Sequence, residues 1–379
     1  MAELENSKLI PDDAYETGAP EGTLGAEEEL WLADPETYKL ADGGQDILAS
    51  ATEGHFTGEL VDCEIESNTS VHETPEGVVS DMVSRREELL EHARRLDRVL
   101  GTSGTHPIGD WREQEIIDKP HYNRLHEKLG WLIRRNNTFS MHVHYAVRGK
   151  EKVIYMFNRI REYVPHLLAL SVNSPFWQGE ITGMKSSRVL IFSRSLHRAG
   201  LPEPLDSWSA YTNYVDYVYR SGAIQALEEI WWDVRPHPRL GTIEFRVCDA
   251  QVESWRSEAL IELSAAICDC LSQEYDSDNL ELILPSREIE ENKWSAQRYG
   301  LQDTFIDHVT HEPVNTLQKI QALTEHLEVN TGCDLFGVGR ILQNSTGADR
   351  QLEVYEQTGS TLEVAKDLAE RVRCSVEKH

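Results

Sequence analysis

Three consecutive glutamates stand inside an apolar stretch near the start of the chain. Residues 22–32 read Gly-Thr-Leu-Gly-Ala-Glu-Glu-Glu-Leu-Trp-Leu, so the three carboxylates have hydrophobic residues on both sides. A short run of this kind is typical of a β-strand that is partly buried on both faces. Because side chains alternate along a strand, Glu27 and Glu29 are predicted to share one face, and Glu28 to lie on the other.

Buried carboxylates are costly unless cations or hydrogen-bond donors compensate them. Glu27 and Glu29 would place two oxygen ligands close together on a rigid element, as a hard divalent cation requires. A sheet edge that carries charge to prevent aggregation explains the same pattern equally well. The stretch taken alone leaves both interpretations open.

The composition is that of a folded protein with a large excess of acid. The 379 residues include 65 Asp and Glu against 37 Lys and Arg, which gives a formal net charge of -28. This charge argues against a general affinity for nucleic acids or for membrane phosphates. Only 11 of the basic residues are Lys and 26 are Arg, a balance that resembles the surfaces of halophilic proteins. An ordinary acidic enzyme is the alternative.

The cysteines and the N-terminus favour a cytoplasmic protein. The six cysteines form no regular framework and are expected to be reduced thiols. The N-terminus lacks the basic and apolar regions of a signal peptide, and no apolar run approaches the roughly 18 residues of a membrane span. We therefore expect no membrane association.

Hydrophobic periodicity predicts an α+β fold with a largely antiparallel sheet flanked by helices. Residues 1–21 show no periodicity and are predicted to form a flexible acidic arm. Strands are predicted at 22–32, 55–66, 139–147 and 241–248, and helices at 76–100, 151–170, 207–230, 252–275, 286–298, 303–328 and 349–373. Gly101 is expected to end the helix at 76–100. The region from Asn173 to Pro204 has no period, and such long loops are usually functional.

Several common catalytic classes are excluded by their missing motifs. The sequence contains no Walker A run, no Gly-x-Gly-x-x-Gly after a strand and no Gly-x-Ser-x-Gly elbow. The remaining candidates are carboxylates, imidazoles and guanidinium groups on the predicted strands. Four strands carry them: Glu27 and Glu29; Glu59, Glu64 and Glu66; His142 and His144; Glu244 and Arg246.

Glu64 and Glu66 are predicted to share a face, whereas Glu59 needs a bend or a bulge to join them. His142 and His144 are also predicted to point the same way. A His-x-His pair is a familiar zinc motif, but partners that are Glu favour Mg²⁺ or Mn²⁺. One alternative is that the two imidazoles have a structural role. Another is that Glu244 and Arg246 form a plain ion pair within their strand.

The joint occurrence of these groups indicates a metal site more strongly than any one of them. The arginines at 188, 235, 239 and 246 suggest that anions bind beside it. Divalent cations and guanidinium groups together can stabilise a transferring phosphoryl group without a P-loop. The sequence therefore predicts phosphoryl-transfer chemistry on one face of the sheet.

These motifs resemble those of the second type of glutamate–cysteine ligase, the carboxylate–amine ligases. The resemblance rests on Gly-Ala-Glu-Glu-Glu-Leu-Trp-Leu-Ala-Asp at 25–34, His-Val-His at 142–144, Asn-Ser-Pro-Phe-Trp-Gln-Gly at 173–179, and the run at 231–249. It implies a saddle-shaped, glutamine-synthetase-like sheet with ATP and divalent metal ions over its concave face. Residues 22–300 would form the catalytic ligase domain, and residues 301–379 a helical C-terminal part of the same domain.

The resemblance also implies roles for individual residues. The metal ligands would be Glu27, Glu29, Glu59, Glu66, His144 and Glu244. Arg246 would contact the transferring phosphate and, with Glu29, would be catalytic. Arg188 would bind the substrate carboxylate, and Arg235 and Arg239 would lie beside the bound ATP. His142 would lie nearby without an assigned role.

The implied reaction joins the γ-carboxylate of glutamate to the amine of cysteine through a γ-glutamyl phosphate, using ATP and Mg²⁺ or Mn²⁺. The region at 173–204 would be a lid that excludes water from this intermediate. A halophilic archaeal origin agrees with this reading. The alternatives are a ligase that uses another amine, a metal-dependent phosphohydrolase and a non-catalytic binding protein. The sequence does not indicate the oligomeric state.

Overall fold

The computed structural model describes residues 9–376. The strands are β1 Leu24–Ala33, β2 Phe56–Gly58, β3 Glu64–Asn68, β4 Val99–Gly101, β5 Met141–Ala146, β6 Phe176–Trp177, β7 Glu180–Ile181, β8 Ala199–Gly200, β9 Trp231–Trp232, β10 Val234–His237, β11 Thr242–Phe245, β12 Thr304–Ile306 and β13 Pro313–Asn315. The helices are α1 Gly44–Ser50, α2 Pro75–Arg95, α3 Pro120–Leu129, α4 Trp131–Arg134, α5 Lys150–Ile160, α6 Val164–Ser171, α7 Ser187–Ser195, α8 Trp208–Arg220, α9 Ser254–Asp276, α10 Ser286–Tyr299, α11 Thr316–Thr331, α12 Phe336–Asn344, α13 Gly347–Thr358 and α14 Thr361–Val376.

A seven-stranded sheet lies at the centre of the described chain. Its strands follow the order β10-β11-β5-β1-β3-β2, and β4 pairs with the C-terminal end of β1. Every neighbouring pair in this sheet is antiparallel. The α+β class and the antiparallel sheet predicted from the sequence are confirmed.

Strict alternation gives this sheet one apolar and one polar face. The apolar face carries residues such as Ala26, Val143 and Ile243, which pack in one core with α2, α5 and α9. The intervening positions of β5 and β11 hold His142, His144 and Glu244 on the opposite face. The pleat thus collects the polar side chains of several strands on one surface.

Glu28 lies on the helix side of β1, as the alternation predicts. Its carboxylate accepts hydrogen bonds from Nε and Nη2 of Arg86 in α2, the shortest at 2.6 Å, and both residues are buried. Arg86 also donates to the carbonyl oxygens of Gln251 and Val252. The guanidinium group supplies the compensation that a buried carboxylate requires.

Helix α2 ends at Arg95, so the predicted helix end at Gly101 is wrong. Asp97 takes a positive φ of 54°, and the chain then enters β4 beside β1. A β-carbon on Gly101 would lie 2.1 Å from the ring of Trp31. Glycine is therefore required there for close packing between strands and not for ending a helix.

The segment at 9–21 packs against the sheet, which corrects the predicted flexible arm. Tyr15 is 1% exposed, and its hydroxyl donates to the carbonyl oxygen of Thr242 at 2.8 Å. Arg148 donates to three carbonyl oxygens of this segment. Such irregular main-chain contacts leave no periodicity in the sequence. The rest of the predicted arm, residues 1–8, lies outside the described residues.

Other predicted elements are right in kind and differ in extent. The strand predicted at 55–66 is split into β2 and β3, and the helix predicted at 151–170 is split into α5 and α6. The helix predicted at 207–230 ends at Arg220, and β12 and β13 precede α11 in the helix predicted at 303–328. The region predicted as a loop at 173–204 contains β6, β7, α7 and β8. Short elements escape periodicity because they hold too few residues to show a repeat.

The chain beyond residue 300 contributes to both apolar cores. Phe305 and Ile320 belong to the core beneath the sheet. Leu368 and Val372 of α14 belong to a second core that also holds Leu30 of β1. Among the described helices, none combines the length and the apolar character needed to cross a lipid bilayer.

Candidate active site

The polar face of the sheet forms one wall of a cavity of about 290 Å³. Helices α3, α4 and α7 and the chain at 228–231 supply the other walls. Of the residues that the sequence singles out, Glu27, Glu29, Glu59, Glu64, Glu66, His142, Arg188, Arg235 and Arg246 line this cavity. The structure therefore brings together groups that lie up to 219 positions apart in the sequence.

Strand register places Glu27 between two imidazoles. Glu27 lies opposite His142, and His144 lies opposite Glu244 on the next strand. Nδ1 of His142 is 2.8 Å from Oε2 of Glu27, and Nε2 of His144 is 3.2 Å from Oε1. Burial opposes the ionisation of Glu27, but the two imidazoles outweigh it and hold the pKa of this carboxyl well below its ordinary value.

Farther along the same face, three carboxylates lie close together. Glu29 lies opposite Glu66 in the register of β1 and β3. Glu59 joins them because β2 ends at Gly58 and the chain turns there. Burial and the charge of Glu29 raise the pKa of Glu59 to about 7. Burial and Glu27 raise the pKa of Glu66 well above its ordinary range.

Glu64 extends this acidic row by one more position on the cavity face of β3. It is 4% exposed and lies opposite Trp31 in the register with β1. Burial and the charge of Glu29 raise the pKa of Glu64 well above its ordinary value. The burial and the mutual repulsion of these acids thus disfavour their ionised forms.

Three sets of three side chains could each hold a metal ion. They are Glu27, His144 and Glu244; Glu27, Glu66 and His142; and Glu29, Glu59 and Glu66, and within each set the ligand atoms lie within 4.8 Å of one another. Because Glu27 and Glu66 each belong to two sets, the three sets form a continuous row. Mainly oxygen ligands with some imidazole suit Mg²⁺ or Mn²⁺. Because carboxylate oxygens make up most of these sets and lie close together, the residues fit divalent cations.

Two hydroxyl residues that the sequence analysis missed hold the acids in place. Oγ of Ser140 donates to Oε2 of Glu29 at 2.7 Å and lies 2.8 Å from Nε2 of His142. The hydroxyl of Thr57 donates to Glu66 at 2.6 Å. Ser140 stands two positions before His142, so the strand period alone could have placed both on one face.

Two of the predicted arginines are bound to a single buried acid. Nε and Nη2 of Arg235 each lie 2.7 Å from Oε2 of Glu244. Nη1 of Arg246 donates to the other oxygen of Glu244, while the buried Nε of Arg246 has no partner in the described chain. Burial opposes the ionisation of Glu244, but the two guanidinium groups lower its pKa strongly. Arg246 therefore keeps a donor available at the cavity wall.

Arg188 reaches the cavity from the first turn of α7. Its Nη1 and Nη2 donate to the carbonyl oxygens of Val247 and Arg246 at 3.1 Å and 3.0 Å. Its Nε is buried and has no hydrogen-bond partner in the described chain. The side chain is thus fixed by main-chain groups and by the buried carboxylate of Asp249, 3.9 Å from its Nη1, and its Nε is left without a partner among the described residues.

Asp249, which the sequence analysis did not single out, fixes the segment that carries Arg188. This fully buried carboxylate accepts hydrogen bonds from the backbone N–H of Asn173 and from the hydroxyls of Ser174 and Ser186 at 2.7–2.9 Å. Ser186 caps the N-terminus of α7. The lid function predicted for 173–204 stays a prediction, but this end of the segment is anchored.

Arg239 does not line the cavity but contacts Glu228, which does, so its place beside bound ATP stays a prediction. Its side chain is 48% exposed and lies 3.8 Å from Glu228. Arg239 follows β10 in the turn toward β11, where strand alternation no longer sets the direction of side chains. His142, for which the sequence suggested only proximity, instead belongs to one of the ligand sets.

Comparison with known proteins assigns the family. The family model described as glutamate–cysteine ligase family 2 matches residues 23–367. The chain belongs to this family. A Rubrobacter xylanophilus protein with the provisional name glutamate–cysteine ligase 2-2 is 62% identical over 372 residues, covering 98% of this chain and 97% of that protein. A Sorangium cellulosum relative, provisionally named glutamate–cysteine ligase 2, is 38% identical over 92% of this chain and 96% of its own length.

Solved structures show the same fold for this glutamate–cysteine ligase family member. Glutamate–cysteine ligase from Francisella tularensis, in complex with AMP, matches with a TM-score of 0.71 at 12% identity, over 94% of this chain and 91% of that one. A bifunctional glutathione synthetase from Pasteurella multocida gives a TM-score of 0.68 at 14% identity, over 96% of this chain and 53% of that one. None of these comparisons supports the halophilic archaeal origin suggested by the composition.

Proposed function

We propose that this protein joins the γ-carboxylate of glutamate to the amino group of cysteine in an ATP-dependent reaction. The observation that carries the proposal is the row of ligand sets next to Arg246, in a chain of this family. A site that only bound a metal would have no need of buried guanidinium groups beside it. Guanidinium groups next to cation ligands suit the transfer of a phosphoryl group.

In the first step, an oxygen of the γ-carboxylate of glutamate attacks the γ-phosphorus of ATP. The bond from that phosphorus to the bridging oxygen breaks, and ADP leaves with the bond electrons. The free Nε of Arg246 is suited to hold the charge on the transferring group. Arg188 is suited to hold a substrate carboxylate, because its Nε also lacks a hydrogen-bond partner among residues 9–376.

Divalent cations would be held by Glu27, Glu29, Glu59, Glu66, His142, His144 and Glu244. When bound, Mg²⁺ neutralises phosphate charge and polarises the phosphorus centre. Arg235 acts on the same site by holding Glu244 in one orientation through a hydrogen bond from Nε and an ion-pair contact from Nη2. Ser140 does the same for Glu29.

In the second step, the amine of cysteine attacks the carbonyl carbon of γ-glutamyl phosphate. A carbon–nitrogen bond forms, the carbon–oxygen bond to phosphate breaks, and the nitrogen loses a proton. The product would be γ-glutamylcysteine, with ADP and phosphate. The walls supplied by α3, α4 and α7 partly surround the cavity and would reduce the access of water to the acyl phosphate.

The test measures phosphate release with ATP and Mg²⁺, adding glutamate alone, cysteine alone and then both. We expect substantial release only with both amino acids, together with a dipeptide identified by mass spectrometry. Release with ATP alone would favour a phosphohydrolase. Release with glutamate and a different amine, but not with cysteine, would assign another acceptor.

An isotope experiment tests the acyl phosphate itself. Glutamate labelled with ¹⁸O in the γ-carboxylate should deliver one ¹⁸O atom to each phosphate released, because the attacking oxygen stays on phosphorus. Unlabelled phosphate would contradict this mechanism. Alanine labelled with ¹⁸O in its carboxylate, which lacks a γ-carboxylate, is the control and should label no phosphate.

A further inference from the structure

An acidic and a basic side chain of the cavity wall each keep a polar atom for which the described residues supply no hydrogen-bond partner. One is Glu64, which is 4% exposed and lines the cavity, and whose carboxyl oxygens form no hydrogen bond with another described residue. The other is Nε of Arg188, in a side chain that is 5% exposed. Leaving buried polar groups unpaired costs stability, so an occupant of the cavity that pairs with both is favoured.

Metal binding does not explain Glu64. Among the described residues, the three ligand sets include seven other side chains and leave Glu64 out. In the strand register, Glu66 lies opposite Glu29, whereas Glu64 lies opposite Trp31, two residues farther along β3. Glu64 thus stands beyond the last ligand set, in the same cavity as Arg188.

An α-amino acid carries an ammonium and a carboxylate on one carbon atom, and so matches a carboxylate beside a guanidinium group. We propose that Glu64 binds the α-ammonium group of the amino-acid substrate, while Arg188 binds its α-carboxylate. With glutamate as the substrate, this rests on the proposed function. The two contacts orient the side chain so that the γ-carboxylate is presented to the acidic row.

This assignment makes Glu64 a specificity-determining residue, because it distinguishes amino acids from simple dicarboxylates. Glutarate has both carboxylates of glutamate and lacks only the ammonium group. The wild-type protein should therefore use glutarate poorly, because Glu64 would stay unpaired opposite it. The Glu64→Gln variant keeps the size of the side chain and removes its charge.

The experiment compares kcat/KM for glutamate and for glutarate in the wild type and in Glu64→Gln, with hydroxylamine as the acceptor. We expect Glu64→Gln to lower the preference for glutamate over glutarate about 10- to 100-fold, as for loss of a charged hydrogen bond. The KM for ATP and the dissociation constant for Mg²⁺, measured by calorimetry, should stay unchanged. The control is Glu228→Gln, which removes a charge from the same cavity at a side chain that is 46% exposed and should preserve the preference.

Two results would overturn the proposal. Weaker Mg²⁺ binding by Glu64→Gln, comparable to that of Glu66→Gln, would make Glu64 a metal ligand. An equal fall in kcat/KM for glutamate and for glutarate in Glu64→Gln would show that Glu64 has only a structural role. If the wild type releases no phosphate with glutamate, the proposed function fails separately. In that case, calorimetric titration of the protein with the other α-amino acids tests the ammonium site. The proposal then requires that one of them binds to the wild type and binds more weakly to Glu64→Gln.

Discussion

Glu28 and Glu29 are neighbours in the sequence, but the pleat of β1 gives them opposite surroundings. Glu28 faces α2 and is neutralised by Arg86. Glu29 faces the cavity, where Glu66 lies opposite it. The same residue type is thus part of the core on one face and a candidate ligand on the other.

Replacing Glu29 by Gln should remove ligand charge from the acidic row with little change in shape. We expect kcat/KM for ATP-dependent ligation to fall by about 100-fold or more, as for other preorganised electrostatic groups. Mg²⁺ binding measured by calorimetry should weaken as well. Glu36→Gln, on the exposed turn after β1, is the control. Full ligation activity in Glu29→Gln would contradict the metal assignment.

Replacing Arg86 by Met should leave Glu28 buried without its cation. We expect the free energy of unfolding in urea to fall by about 3–5 kcal/mol, the usual cost of breaking a buried ion pair on one side. The double variant Glu28→Leu, Arg86→Met should recover most of this loss, because it buries no charge. An equal fall in the free energy of unfolding in the single and the double variant would show that Arg86 stabilises the fold through its packing and not through its charge.

At the scale of single elements, a period of two was sufficient to predict which side chains share a face. It placed Glu27 with Glu29, and His142 with His144, because each pair lies within one regular strand. It could not place Glu59 or Arg239, because both lie outside regular strands, where the direction of a side chain depends on the local backbone conformation. The pairing of strands, and hence the ligand sets, depends on contacts far apart in the sequence.

Helix α6 illustrates another limit, because all eight of its residues are buried and no polar face marks it. His166 in this helix packs edge-on against Phe305, with ring centroids 5.3 Å apart. Burial, with a smaller contribution from Lys319, lowers the pKa of His166 from 6.5 to about 3. This imidazole is therefore neutral in the folded state at pH values where the unfolded chain takes up a proton.

The consequence is a contribution to acid unfolding. Between pH 6.5 and about 3, the unfolded state binds a proton that the folded state does not, so stability is lost as the pH falls through this range. His166→Phe should reduce the slope of unfolding free energy against pH in this window. His126→Phe, at an exposed position of α3, is the control and should leave the slope unchanged. An unchanged slope in His166→Phe would contradict the assignment.

At the scale of the whole molecule, Asp249 connects the end of the sheet to the segment that carries Arg188. Asp249→Asn should weaken three buried hydrogen bonds at once, so we expect unfolding free energy to fall by about 1–3 kcal/mol. The KM for glutamate should also rise, because Arg188 loses its fixed position. Asp110→Asn, at a partly exposed side chain, is the control. A stability loss with no change in KM would separate anchoring from substrate binding.

The sequence predicted the sheet face that carries the candidate site, but not how the cavity is enclosed. Strand alternation and motif resemblance supplied the acids, the imidazoles and Arg246. The walls formed by α3 and α4, and the supporting hydroxyl of Ser140, carry no comparable motif. Their positions follow from packing between distant parts of the chain, which a single sequence does not encode in a periodic form.

The anchoring of Tyr15 beneath β11 sets a limit on how this protein can be shortened for biochemical work. A chain that starts at the first predicted strand would lack a buried aromatic ring and leave the carbonyl of Thr242 without its phenol donor. Loss of a buried aromatic side chain costs about 3–5 kcal/mol, a large share of the stability of most domains. Deletion of residues 9–21 should therefore lower the melting temperature by several degrees or prevent soluble expression.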